Sequence, residues 1–112
     1  MNVDSPPQVS EPTYPLKHYA AERFIYIGAA VDYKLLKTDL TYQDILKREF
    51  NMLTPENAMK FENICPNEGV FQFNEADEIV DFALGNNMRV RGHALVWHNQ
   101  LPQSSGCLPF HA

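Results

Sequence analysis

Nothing in the 112-residue sequence approaches the roughly 18 consecutive apolar residues that cross a bilayer, so a membrane span is excluded and a soluble chain is expected. Runs of Lys and Arg are also missing. Nine basic residues are scattered among fourteen acidic ones, for a formal charge of −5, and no stretch neutralises a row of phosphates or docks on an anionic surface. Nucleic acid and membranes are therefore excluded as partners. Cysteine is scarce: Cys65 and Cys107 permit one bridge across a long separation, which says little about compartment. Two unpaired thiols are the expectation.

Glycine is scarce too. Gly28 stands alone after the first apolar run, so a dinucleotide fingerprint is absent and a Rossmann reading loses its main support. No G-x-S-x-G elbow gives Ser10, Ser104 or Ser105 a nucleophilic context. His93 and His98 have no further His or Cys at zinc-like spacing, so neither a metal nor another cofactor is expected. Residues 1–15 lack the apolar stretch of a secretory signal. Two localisations stay open: secreted after a signal was removed, or cytoplasmic.

What is present is an ordinary globular balance, 45% hydrophobic and 21% charged, in a length that suits one core or a piece of one. Pro6, Pro7, Pro12 and Pro15 among Ser, Gln and Glu mark residues 1–15 as a flexible lead-in that cannot offset its ordering entropy. The run from Phe24 to Val31 predicts a first strand buried on both faces. Thr41 with Asp44 predicts a capped helix whose apolar face is Tyr42, Ile45, Leu46 and Phe50. Asn51–Leu53 predicts a second strand, ended at Thr54-Pro55 because proline cannot continue a central ladder.

A second helix is capped by Asn74 with Asp77 at the third position, carries Ala76, Ile79, Val80, Ala83 and Leu84 at helical spacing, and stops at Gly85-Asn86-Asn87. Met88–Val96 predicts a third strand. Strands alternating with crossover helices predict an α/β fold. The pattern fits either an open doubly wound sheet or the start of a (β/α)₈ barrel.

In both architectures function sits at the carboxyl ends of the strands. After the second strand come Glu56, Asn57 and Lys60; within or after the third come His93, Trp97, His98, Asn99 and Gln100. Amides, carboxylates and amines answer sugar hydroxyls, and an aromatic ring answers the apolar face of a pyranose. Each residue also has a plainer reading. Glu56, Asn57 and Lys60 fit a solvated loop with an Asx turn, His93 a hydrogen-bonded core histidine, and Trp97 ordinary core.

Asn51-Met52-Leu53-Thr54-Pro55-Glu56-Asn57-Ala58-Met59-Lys60 and Arg91-Gly92-His93-Ala94-Leu95-Val96-Trp97-His98-Asn99-Gln100-Leu101-Pro102 resemble two signature segments of glycoside hydrolase family 10. Glu68–Phe73 and Ala76-Asp77 look like the family as well. The resemblance runs over residues 16–102 and leaves a divergent tail, 103–112. It selects the barrel, implying that the chain holds the first two to three strand–helix units of a (β/α)₈ TIM barrel and leaves it incomplete, since a whole barrel takes about 250 residues.

The resemblance further implies an endo-1,4-β-xylanase, which cleaves internal β-1,4 bonds of xylan with retention. By position Glu56, Asn57 and Lys60 resemble residues that bind glycone-side xylose units, and His93, Trp97 and Gln100 those around the sugar beside the scissile bond. Retaining hydrolysis uses two carboxylates about 5 to 5.5 Å apart. In this family both are glutamates of the fourth and seventh strands, so no catalytic residue is expected in this chain and Glu56 and Glu62 are not candidates. The expected partners are xylan and xylo-oligosaccharides, with self-association through unclosed sheet edges. The chain alone is expected to be inactive; a sugar-binding fragment or a half-barrel needing a complementing chain are the alternatives. Phe61, Ala94 and Asn99 depart from the family's common tryptophan, threonine and serine.

Overall fold

The computed structural model describes residues 13–94 and Asn99. Trp97, Gln100, Cys107, the tail and most of the lead-in lie outside the described residues. The elements run α1 (Leu16–Glu22), β1 (Gly28–Val31), α2 (Tyr33–Thr38), α3 (Leu40–Glu49), β2 (Met52–Pro55), α4 (Phe61–Ile64), α5 (Asn74–Gly85) and β3 (Arg89–Val90). The three strands form one parallel sheet in the order β1-β2-β3.

Register explains how the core is built. Ala29 pairs with Leu53, Val31 with Pro55 and Leu53 with Val90, so these residues share one sheet face. That face meets Leu36, Leu46, Ile79, Ala83 and Met88, which makes one apolar layer between sheet and helices. Ile79 and Leu53 are fully enclosed at 0% exposure. Gly28, Ala30, Met52, Thr54 and Arg89 alternate onto the other face, which no helix covers among the described residues.

β1 starts at Gly28 rather than at Phe24. The Phe24 and Ile25 amides turn back to the carbonyls of Ala21 and Ala20, and Phe24 takes a left-handed φ of 57°. This pair of bonds, with the left-handed residue just past the helix, is the Schellman arrangement that terminates α1. The apolar run that looks like strand is therefore half helix terminator. α5 ends the same way: Asn87 and Met88 amides donate to Leu84 and Ala83 carbonyls, with Asn87 at φ 56°. The left-handed residue is thus Asn87, the last of the Gly85-Asn86-Asn87 stop.

The caps of α2 and α3 are aspartates. Asp32 accepts from the Leu35 amide at 3.0 Å and Asp39 from the Tyr42 amide at 3.0 Å, so Asp39 rather than Thr41 opens α3. α5 begins without a side-chain cap, so Asn74 lies inside the helix instead of capping it.

β2 runs through Pro55, two residues past the expected end at Leu53. Asn51 N–H donates to the Ile27 carbonyl, and the ladder's two-residue period would bring Pro55 to the Val31 carbonyl. Proline has no N–H to give. Glu56 N–H takes that carbonyl at 2.8 Å instead, which satisfies it and turns the chain off the sheet. Strand β3 covers only Arg89–Val90, with residues 91–94 outside regular pairing apart from the Arg91 amide bond to Leu53.

Cys65 corrects the expectation of free thiols. It is buried at 1% exposure and disulfide-bonded, and the sequence holds one other cysteine, Cys107.

Candidate functional site

The site grows from the carboxyl end of β2. There Ala58 buries its methyl in the core at 4% exposure, which anchors a loop whose neighbours Glu56 and Asn57 stay exposed. Asn57 is the hub. Its carbonyl accepts the Lys60 amide at 3.0 Å and the Asn63 side-chain amide at 2.6 Å, while its Oδ1 accepts the Lys60 ammonium at 3.1 Å. The Asn63 and Ile64 amides then return to the Lys60 carbonyl and open α4. Asn57 and Lys60 are bonded to each other through both backbone and side chain, and Glu56, whose amide is tied to the Val31 carbonyl, directly precedes them at the end of β2.

His93 reaches the same region from the carboxyl side of β3. It is exposed, so it is not the core histidine that its apolar neighbours favoured. Met59, Phe61 and Ile64 from the β2 side meet Gly92, His93 and Ala94 across an open, mostly apolar cleft of about 320 Å³. The His93–Ala94 peptide is cis. Trp97 and Gln100 lie outside the described residues.

A second cavity, absent from the sequence expectations, shares no lining residue with the first. Tyr33, Asn63, Gln72, Asn74 and Glu75 surround about 320 Å³ above Ala58. Asp32, Lys34 and Asn57 extend it with a further 150 Å³ that shares Tyr33, Ala58 and Glu75. Tyr33 follows directly on β1, so the position at a strand's carboxyl end was the available signal.

The displaced pKa values lie elsewhere. Hydrogen bonding to Tyr33, and then to Glu78, raises Lys37 above the ordinary lysine range; bonding to Tyr33, and then to Lys37, holds Glu78 below the carboxylate range. This pair joins the outer helices α2 and α5. Among the described residues no group of three or more His, Cys, Asp or Glu is placed to hold a metal ion. No helix among them is long and apolar enough to cross a membrane.

The profile of Glycosyl hydrolase family 10 matches residues 15–108. The Beta-1,4-xylanase of Dictyoglomus thermophilum is 54% identical over 79 residues, which is 70% of this chain and 22% of that protein. Endo-1,4-beta-xylanase A of Caldicellulosiruptor saccharolyticus is 53% identical over 79 residues, again 70% of this chain and 22% of the relative. The chain thus spans about a fifth of the length of these curated relatives.

Solved structures agree. Xylanase 10B of Thermotoga petrophila RKU-1 in complex with xylobiose superposes with a TM-score of 0.73 at 41% identity, covering 84% of this chain and 29% of that one. A mutant of TsXylA, the intracellular xylanase of Thermoanaerobacterium saccharolyticum, in complex with xylotetraose superposes with a TM-score of 0.72 at 44% identity, covering 79% and 27%. The described sheet is the opening portion of a (β/α)₈ barrel, with its three parallel strands in sequential order.

Proposed function

The chain belongs to glycosyl hydrolase family 10, and on that premise we propose that it supplies part of the glycone-side cleft of an endo-1,4-β-xylanase. The observation that carries the reading is the Asn57–Lys60 pair, bonded beside Glu56 at the carboxyl end of β2 in the same segment that supplies Met59, Phe61 and Ile64 to the His93 cleft. Carboxylate, amide and ammonium offer the acceptors and donors that sugar hydroxyls require, and the apolar cleft suits the C–H face of a pyranose. Trp97 and Gln100 complete the proposed set with His93.

In this reading the reaction is retaining hydrolysis of internal β-1,4-xylosidic bonds, and it needs a carboxylate pair about 5 to 5.5 Å apart. We assign neither catalytic role to Glu56 or Glu62. The 112-residue chain binds xylo-oligosaccharides without turning them over. β1 and β3 are the edge strands of the described three-stranded sheet, which supports a second reading in which a complementing chain or self-association covers those edges.

Titration of the purified chain with xylotriose, alongside a reducing-sugar assay on xylan, tests the proposal. Saturable binding is expected, weakened about tenfold or ~1.4 kcal/mol by Asn57→Ala, with no sugar release. Lys60→Met, checked for an unchanged circular dichroism spectrum, should weaken binding similarly. Absence of saturable binding, or affinity indifferent to both substitutions, overturns the assignment.

A further inference from the structure

Met59 stands between two anchored neighbours. Ala58 before it is sunk in the core at 4% exposure, and Lys60 after it is bonded to Asn57 through its amide at 3.0 Å and its ammonium at 3.1 Å. The half-buried Met59 side chain forms part of the wall of the His93 cleft, with Phe61 and Ile64.

Its sulfur borders a residue that has no side chain. A Cβ built on Gly92 would lie 3.8 Å from Met59 Sδ, and beyond Gly92's chain neighbours it would meet no other heavy atom of the described residues within 4 Å. Space the size of a methyl group thus lies beside the thioether, at the wall of an open cleft of about 320 Å³.

The other described sulfurs are placed differently. Met88 is buried at 3% exposure in the layer between sheet and helices. Met52 is half-buried within β2, and its stem packs over Gly28, where an added Cβ would come within 3.2 Å of Met52 Cβ and 3.3 Å of its Cγ. Cys65 is disulfide-bonded and offers no thiol. Among them only Met59 joins a cleft wall to clear space beside its sulfur.

Resting on the cleft assignment above, we propose that Met59 is an oxidation site through which hydrogen peroxide turns sugar binding down. The thioether sulfur takes one oxygen from the peroxide: the O–O bond breaks, an S–O bond forms, the sulfur loses two electrons, and the second oxygen leaves as water with both protons. A soft apolar side chain becomes a polar sulfoxide. In a mostly apolar wall the new oxygen stands where the C–H face of a pyranose would pack, and that face has no donor to answer it. Sulfoxide reductases reverse the step, which makes it a switch.

The test treats the full chain with dilute hydrogen peroxide and follows it by peptide mass mapping, circular dichroism and xylotriose titration. A gain of one oxygen is expected on Met59 ahead of Met52 and Met88. With the spectrum unchanged, xylotriose affinity should fall about five- to tenfold, the low end of what an unmet buried polar group costs. Reduction by methionine sulfoxide reductases for both epimers should restore it. Met59→Leu keeps an apolar wall, so its affinity should be the same before and after peroxide. Oxidation of Met52 or Met88 ahead of Met59 overturns the site. Met59 sulfoxide with undiminished affinity overturns the switch while sparing the cleft, and an equal loss in Met59→Leu does the same. If the untreated chain binds no xylotriose, the cleft assignment falls and the switch with it.

Discussion

Replacing Phe24 with glycine should stabilise the protein even though it removes a large aromatic side chain. Phe24 sits at the left-handed position of the α1 terminator with φ 57°, and its side chain is 96% exposed. A left-handed backbone costs an L-residue about 1–2 kcal/mol, a strain that glycine lacks. Glycine gives back about 0.4–1 kcal/mol through the greater freedom of the unfolded chain. Almost no buried apolar surface is lost, so the balance favours Phe24→Gly by about 0.5–1 kcal/mol. For a domain of this size that is a rise in Tm of about 2–8 °C.

Thermal unfolding followed by far-UV circular dichroism reads the shift. Hydrogen exchange at Ile25, whose amide donates to Ala20 at 3.0 Å, reads the terminator itself and should slow. Phe24→Asn should also stabilise, because Asn87 fills the equivalent place after α5. Phe24→Val should destabilise, since a β-branched residue tolerates positive φ poorly. A lower Tm for Phe24→Gly, or the same Tm for glycine and valine, would refute the strain argument.

Ile79→Ala empties a site at 0% exposure between α5 and the sheet, with an expected loss of about 2–5 kcal/mol in urea unfolding. An effect below about 1 kcal/mol would show that the layer collapses around the gap. The Lys37–Glu78 link predicts a pH profile. Glu78 is held below its ordinary value, so its stabilisation is present above that value and fades as pH falls through the acidic range. Lys37 is held above its ordinary value, so its share persists below the lysine range and fades as pH rises through the alkaline limit. Both groups are on the surface, so unfolding midpoints in the parent and Glu78→Gln should converge at low pH and in high salt; parallel profiles would exclude the link.

How far the sequence carried depended on whether a segment's structure is set by its own pattern or by its neighbours. α5 was legible because Ala76, Ile79 and Ala83 recur at helical spacing and all are buried, although Leu84 on the same periodic set is 66% exposed. The short helices α1, α2 and α4 were not predicted. They span 7, 6 and 4 residues, too few for periodicity to register, and capping or tertiary bonds define them. Phe24–Ile27 reads as strand from its side chains, whereas its amides at 24 and 25 are committed to α1. Glu56, Asn57 and Lys60 were legible as a polar loop, and the bonds between Asn57 and Lys60 emerged only in three dimensions. The Tyr33 groove escaped because Tyr33, Asn63 and Gln72 lie far apart in sequence and line one cavity only in the folded chain.

Asn51 has a wider consequence than its place at the start of β2 indicates. Its side-chain Oδ1 accepts the Ile27 amide at 2.8 Å, its own amide returns to the Ile27 carbonyl at 3.1 Å, and its carbonyl takes the Arg89 amide at 2.9 Å. One residue thereby indexes three strands against each other, like the zero mark of a ruler. A slip of one position there would send Leu53 and Pro55 to the uncovered face and rotate Glu56 away from Asn57 and Lys60. The alignment of the polar cluster is thus set at the opposite end of the sheet, by an asparagine that touches no part of it.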